Sequence, residues 1–126
     1  YASGSLFVLT IPDNYADLYE LPSEVLSKIR SVIGNKSKIY LEGPGNVSLF
    51  LYDNNTLIVE SFNDETVQAK IATDLSLSGM TDILSKMKIQ GEKRRATGGW
   101  SAPRLIERNI FEFEIKPHSF RVFKID

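Results

Sequence analysis

Alternation of apolar and polar positions runs along most of the chain and is densest between residues 38 and 61, KIYLEGPGNVSLFLYDNNTLIVES. In VSLFLYD, Val47, Leu49 and Leu51 share one face and Ser48, Phe50 and Tyr52 the other, because successive strand side chains point to opposite sides. Both faces carry large apolar groups, which predicts a central strand covered on both sides. The next run, Thr56 to Phe62, is again β-branched and apolar. Asp53-Asn54-Asn55 separates the two runs, and Asn and Asp tolerate positive φ well, so a hairpin is predicted there. Upstream, Gly43-Pro44-Gly45-Asn46 must be a turn or short loop. The stretch therefore reads as three consecutive strands joined by two tight turns.

The remaining chain supplies what such a sheet needs. SLFVLTI (5–11) is an almost unbroken apolar run of strand length, ended by Pro12-Asp13-Asn14, and predicts a buried strand. In LPSEVLSKIRSVIG, Val25, Leu26, Ile29, Val32 and Ile33 repeat at helical spacing. Pro22 suits the first turn, Glu24 the positive end of the dipole and Gly34 the C-terminal cap. This predicts one amphipathic helix over 22–33. From Thr66 to Ala72, Val67, Ala69 and Ile71 face inward against Gln68 and Lys70. The segment 75–91 mixes the two periods: Leu75 and Leu77 alternate, whereas Met80, Ile83, Leu84 and Met87 are helically spaced. It is read as a strand, a short helical turn and a strand around Met87 to Ile89. Gly91 to Arg104 is glycine-rich and basic, a long exposed loop or protruding hairpin. RNIFEFEI and FRVFKI follow as two strands joined by Lys116-Pro117-His118-Ser119. Seven or eight short strands and one helix near the N-terminus make this a mainly β protein, an antiparallel β-sandwich.

Composition narrows the picture. At 126 residues the chain reads as a single domain. Fifteen basic and sixteen acidic residues leave a net charge of −1, so no nucleic-acid or anionic-membrane partner is expected. No apolar run approaches the ~20 residues of a membrane helix. There is no cysteine and one histidine, which excludes disulfide and thiol chemistry and leaves zinc only His118 plus carboxylates; no cofactor is expected. Absence of cysteine leaves the compartment open. The chain opens on Tyr1-Ala2-Ser3-Gly4 rather than Met, and is read as a C-terminal fragment of a longer polypeptide.

Candidate chemistry is sparse. Glu112 and Glu114 share a strand face about 7 Å apart, within the roughly 5–10 Å separation that glycoside hydrolysis requires of its two carboxyl groups; the solvated side of a strand whose other face holds Phe111, Phe113 and Ile115 explains them as well. His118 lacks a nucleophile motif and reads as a turn residue. Asp53, Asn54 and Asn55 lack the ligand spacing of a calcium loop. Trp100 is the most informative side chain. With Arg94, Arg95 and Arg104 nearby, an exposed indole makes a flat platform on which a sugar ring stacks. The plainer reading, in which it caps the sandwich or packs on a neighbouring domain, takes precedence because an isolated Trp usually buries most of its area.

With its closing strands in view, NVSLFLYDNNTLIVESF and FEFEIKPHSFRVFKI resemble the C-terminal β-sandwich of multidomain bacterial glycoside hydrolases, similar to the domain C that follows an α-amylase-type catalytic barrel. YASGSLFVLTIPDN is similar to the last strand of an α/β domain between barrel and sandwich, so residues 1–14 are expected to be shared with or to follow a preceding domain. The resemblance implies a non-catalytic domain, with catalytic carboxylates elsewhere, the preceding catalytic domain of the same polypeptide as partner, and polysaccharide as a further one. The helix at 22–33 and the basic Trp100 loop depart from that pattern. The other readings are a carbohydrate-binding module built on Trp100 with Tyr or Arg side chains, and a small hydrolase using Glu112 and Glu114.

Overall fold

The computed structural model describes residue 6 and residues 8–11, 13–34, 37–97 and 105–126. A 3₁₀ helix (Tyr15–Glu20) and helix α1 (Ser23–Ile33) precede nine strands: β1 (Ile39–Glu42), β2 (Val47–Leu51), β3 (Thr56–Ser61), β4 (Val67–Thr73), β5 (Met80–Asp82), β6 (Lys88–Ile89), β7 (Glu92–Thr97), β8 (Leu105–Ile115) and β9 (Ser119–Ile125). They form a four-stranded sheet, β1-β4-β8-β7, and a five-stranded sheet, β2-β3-β9-β5-β6, with antiparallel pairing throughout. The predicted sandwich with one N-terminal amphipathic helix is thus observed.

The core lies between the layers. Leu41, Ala69, Ile71, Phe111, Phe113 and Ile115 from one sheet meet Val47, Leu57, Val59, Met80 and Phe123 from the other. The predicted alternation of β4 and β8 holds, and Phe111 and Phe123 are completely buried. Among the described residues no buried side-chain polar atom lacks a hydrogen-bond partner, as a stable interior requires.

Several local expectations change. The three strands of residues 38–61 exist, but β1 pairs with β4 while β2 pairs with β3. Gly43–Asn46 therefore crosses between layers instead of closing a hairpin. Nor is β2 central: it is the edge of its sheet, and its second apolar face, with Phe50 and Tyr52, is exposed. The 53–55 hairpin is present, with Asn55 at φ 61°. The buried strand predicted over 5–11 is not seen in its described residues, where Leu6 and Val8 are 89% and 85% exposed and no pairing partner occurs. In 75–91 the first strand forms at Met80–Asp82 rather than around Leu75, because pairing with β9 fixes it there. The second strand lies at Lys88–Ile89, as expected. Of Gly91–Arg104, Glu92–Thr97 form β7, paired with β8; residues 98–104 lie outside the described residues.

Three crossings between the layers gather at one end. The Asn63 amide donates to the carbonyls of Gly45 and Asn46 at 3.1 and 3.3 Å, and the Asn63 carbonyl accepts from the His118 N–H at 3.2 Å. Asn63 thereby ties β1–β2, β3–β4 and β8–β9 together. Helix α1 packs on β1 and is locked to the same end by Arg30, which donates to the carbonyls of Gly43 and Pro44, both at 2.8 Å, and of Val47 at 3.2 Å. Burial lowers the Arg30 guanidinium from its ordinary value. Gly43 sits at φ 146°, a conformation side chains rarely adopt. Gly45 is required by contact: a Cβ there would lie 2.0 Å from the Tyr19 carbonyl oxygen. Gly45→Ala is expected to destabilise the chain by about 1–3 kcal/mol and to release the 3₁₀ helix, read as a lower urea midpoint and faster amide exchange over residues 15–20.

Candidate functional site

The two glutamates singled out from sequence lie on the outer face of the four-stranded sheet, and register decides what they meet. Lys70 stands opposite Glu112 and Gln68 opposite Glu114. Lys70 Nζ is 3.3 Å from Glu112 Oε1, and Arg94 reaches Glu112 Oε2 at 3.9 Å and Glu92 Oε2 at 3.0 Å. Gln68 Nε2 donates to Glu114 Oε1 at 2.9 Å. A hollow beside them is lined by Gln90, Glu92, Arg94, Ile110 and Glu112. Glu114 is outside it, so the pair does not face one cavity. Each carboxylate is neutralised or hydrogen-bonded on an open sheet, where such pairs contribute little to stability.

Arg94 and Arg95 alternate across β7, opposite Arg108 and Glu107 respectively. Arg94 thus joins the Glu112 face, and Arg95 is exposed on the other side of the strand. Trp100 and Arg104 lie outside the described residues. His118 occupies the β8–β9 crossing at φ 44°, its Nε2 2.8 Å from Asp64 Oδ1, and Ser119 Oγ donates to the Lys116 carbonyl at 2.7 Å. That serine is therefore spent on its own turn. Among the described residues no group of three or more His, Asp or Glu side chains could hold a metal ion, and none of their helices is long and apolar enough to cross a membrane.

Two ionic clusters that pattern reading missed are inside the fold. Asp82, 4% exposed, is gripped by Arg121, whose Nε and a terminal nitrogen both lie 2.7 Å from Oδ2; its Oδ1 accepts from the N–H groups of Leu84 and Ser85 at 2.9 and 3.0 Å. Burial raises the Asp82 carboxyl, but the Ser85 N–H, the Arg121 guanidinium and the Leu84 N–H together outweigh it and hold the group below its ordinary value. Arg121 also lies 5.0 Å from the Phe123 ring centre and 5.4 Å from that of Phe113. Asp74 bridges Arg108 at 2.7 Å and the Tyr40 hydroxyl at 3.1 Å, and Arg108 stacks on the Tyr40 ring. Burial and Asp74 push the Tyr40 phenol up. In both clusters the carboxylate is paired with an arginine and hydrogen-bonded within the fold. The sequence signal was faint: Arg121 stands between Phe120 and Val122 in β9, and Arg108 in a polar run, Glu107 to Asn109, of β8.

The outer face of the five-stranded sheet has the opposite character. Phe50, Ile58 and Val122 lie side by side across β2, β3 and β9, and Phe50, Tyr52 and Phe120 are 44%, 53% and 55% exposed. Nothing in the described chain covers them. The sequence did signal this face, in the runs around Phe50 and Ile58 that are apolar on both sides.

No curated protein and no solved structure matches the chain. The model of one family, described as "Probable glycosyl hydrolase, C-terminal domain", matches residues 38–125; the match takes in the nine described strands and, of the two features that departed from the resemblance, leaves out α1 and includes the Trp100 segment. The chain belongs to the family of probable glycosyl hydrolase C-terminal domains.

Proposed function

We propose that the chain is a non-catalytic domain of a larger glycosyl hydrolase, with residues 1–14 leading from a preceding domain and the sandwich packed against it. The observation that carries this reading is the state of the candidate acidic side chains: Glu112 is held by Lys70 and Arg94, Glu114 by Gln68, and Asp82 and Asp74 by the partly buried Arg121 and Arg108. Glycoside hydrolysis needs a proton-donating carboxyl and a second carboxylate on opposite sides of a sugar ring, whereas the hollow on this face holds Glu112 without Glu114, and Arg94 lies between its Glu92 and Glu112 carboxylates. The exposed apolar run Leu6, Val8, Leu9 and Ile11 has strand composition and, among the described residues, no strand partner, and suits pairing or packing in a preceding domain.

Hydrolysis assays separate this role from the hydrolase reading. The 126-residue chain is expected to release no reducing ends from soluble glucans, xylans or mannans. Glu112→Gln with Glu114→Gln in the full-length polypeptide should leave kcat within about twofold of the parent, because truly catalytic carboxylates are worth several orders of magnitude. A loss of a hundredfold or more would assign the chemistry to this domain.

A further inference from the structure

The two outer faces of the sandwich are made for different surroundings. On the four-stranded sheet α1 packs on β1, with Tyr40, Ala72 and Ile110 buried on that face, and beyond them Lys70, Glu112, Arg94 and Glu92 form exposed ion pairs, as the water-facing part of an antiparallel sheet should. On the five-stranded sheet the row Phe50, Ile58 and Val122 is apolar from edge to third strand. The neighbouring row holds Ser48, Glu60 and Phe120, and Thr56 and Lys124 pair on the other side. An apolar stripe with aromatic anchors and a polar, charged rim is how interface cores are built.

The position of the chain's entry says what covers it. The backbone of Tyr19 lies against Gly45 and Arg30 holds the carbonyls of Gly43, Pro44 and Val47, so the N-terminal elements are fastened at the crossover immediately before Ser48. Phe62, 52% exposed, bonds through its N–H to the Asn46 carbonyl and continues the apolar surface to that same end. A domain preceding residue 13 is thereby tethered beside the Ser48–Glu60–Phe120 row, where a short connection gives an effective concentration on the order of millimolar.

We infer that the preceding domain of the same polypeptide docks on the outer face of β2, β3 and β9, with Phe50 and Phe120 as its anchors. This rests on the function proposed above, since it requires a domain before this one. The contact fixes the sandwich to its neighbour as one rigid unit, and the exposed ion pairs of Lys70, Glu112, Arg94 and Glu92 stay in water.

The absence of cysteine makes the test direct. Phe120→Cys and the nearly isosteric Ser48→Cys place a thiol on this face, and Glu112→Cys places one on the opposite outer face. Maleimide labelling rates are read peptide by peptide in the full-length polypeptide and in the 126-residue chain. Labelling at positions 120 and 48 is expected to slow about tenfold or more in the full-length polypeptide, as at desolvated interface positions, while position 112 stays within about twofold. Equal rates in the two molecules overturn the inference. So does protection in the 126-residue chain that grows with its own concentration, which assigns the face to a second copy, or protection that appears only on adding maltohexaose or cellohexaose, which assigns it to a glycan. Glycan hydrolysis by the 126-residue chain would defeat the proposed function while leaving these labelling rates readable.

Discussion

Phe123→Ala is expected to lower the unfolding free energy by about 3–5 kcal/mol, the range for truncating a fully buried aromatic side chain. The ring is completely buried, stands in register with Leu57 on one side and Asp82 on the other, and meets Phe113 across the layers at 4.7 Å between centres. Arg121 lies over it, so the cavity would also loosen the cation that neutralises Asp82. Against a total stability of roughly 5–15 kcal/mol for a domain, this is enough to move the urea midpoint far down or to unfold the chain outright. Phe120→Ala, three residues earlier and pointing outward, is the control: in the 126-residue chain it should change stability by no more than about 0.5 kcal/mol. Similar losses from both would mean that β9 does not present these faces as described.

Asp82→Asn is expected to cost about 3 kcal/mol at neutral pH, because removing one charge of a buried pair leaves the other uncompensated. Arg121 keeps one bond, to the Glu114 carbonyl at 3.0 Å, which places the loss at the lower end of that range. The pH dependence separates charge from packing. The folded carboxyl titrates below its ordinary value, so the unfolded chain takes up its proton first and stability falls as the pH drops. The contribution of Asp82 is complete above its unfolded value of about 4 and disappears as the pH falls through the depressed folded value. Urea unfolding from pH 7 to pH 2.5 should therefore show the parent and Asp82→Asn converging in the acid range. A gap that stays constant with pH would assign the loss to shape rather than charge.

The fold class was legible because antiparallel strands with one buried face print their alternation on the sequence. β4 and β8 show it cleanly: Ala69 and Ile71 alternate with Lys70, and Phe111 and Phe113 with Glu112. The division of strands between the layers was not. Gly43–Asn46 has the same turn chemistry whether it closes a hairpin or crosses from one sheet to the other, and only the distant pairing of β1 with β4 resolves it. The same holds for Lys116–Ser119, which joins strands of different sheets. Strand position in 75–91 was hidden because β5 is three residues long and carries a buried Asp82, so neither period dominates.

The site was legible in residue type and illegible in partnership. Glu112 and Glu114 were recognisable as a carboxylate pair, but Lys70 and Gln68, which occupy them, are more than forty positions away and become neighbours only through register. Asp82 and Arg121 are likewise brought together by the pairing of β5 with β9. The sequence said that β2 is covered on both faces, and the structure leaves one of them bare. The expectation of a central strand fails because β2 pairs with β3 alone and forms the edge of its sheet, so Phe50 on its outward face is exposed.

The most direct test of the accessory role is differential scanning calorimetry of the full-length polypeptide beside the 126-residue chain. Docking predicts that the sandwich unfolds at a higher temperature in the full-length polypeptide, within a transition shared with the preceding domain. An independent transition for residues 38–125 at the temperature of the 126-residue chain would contradict it.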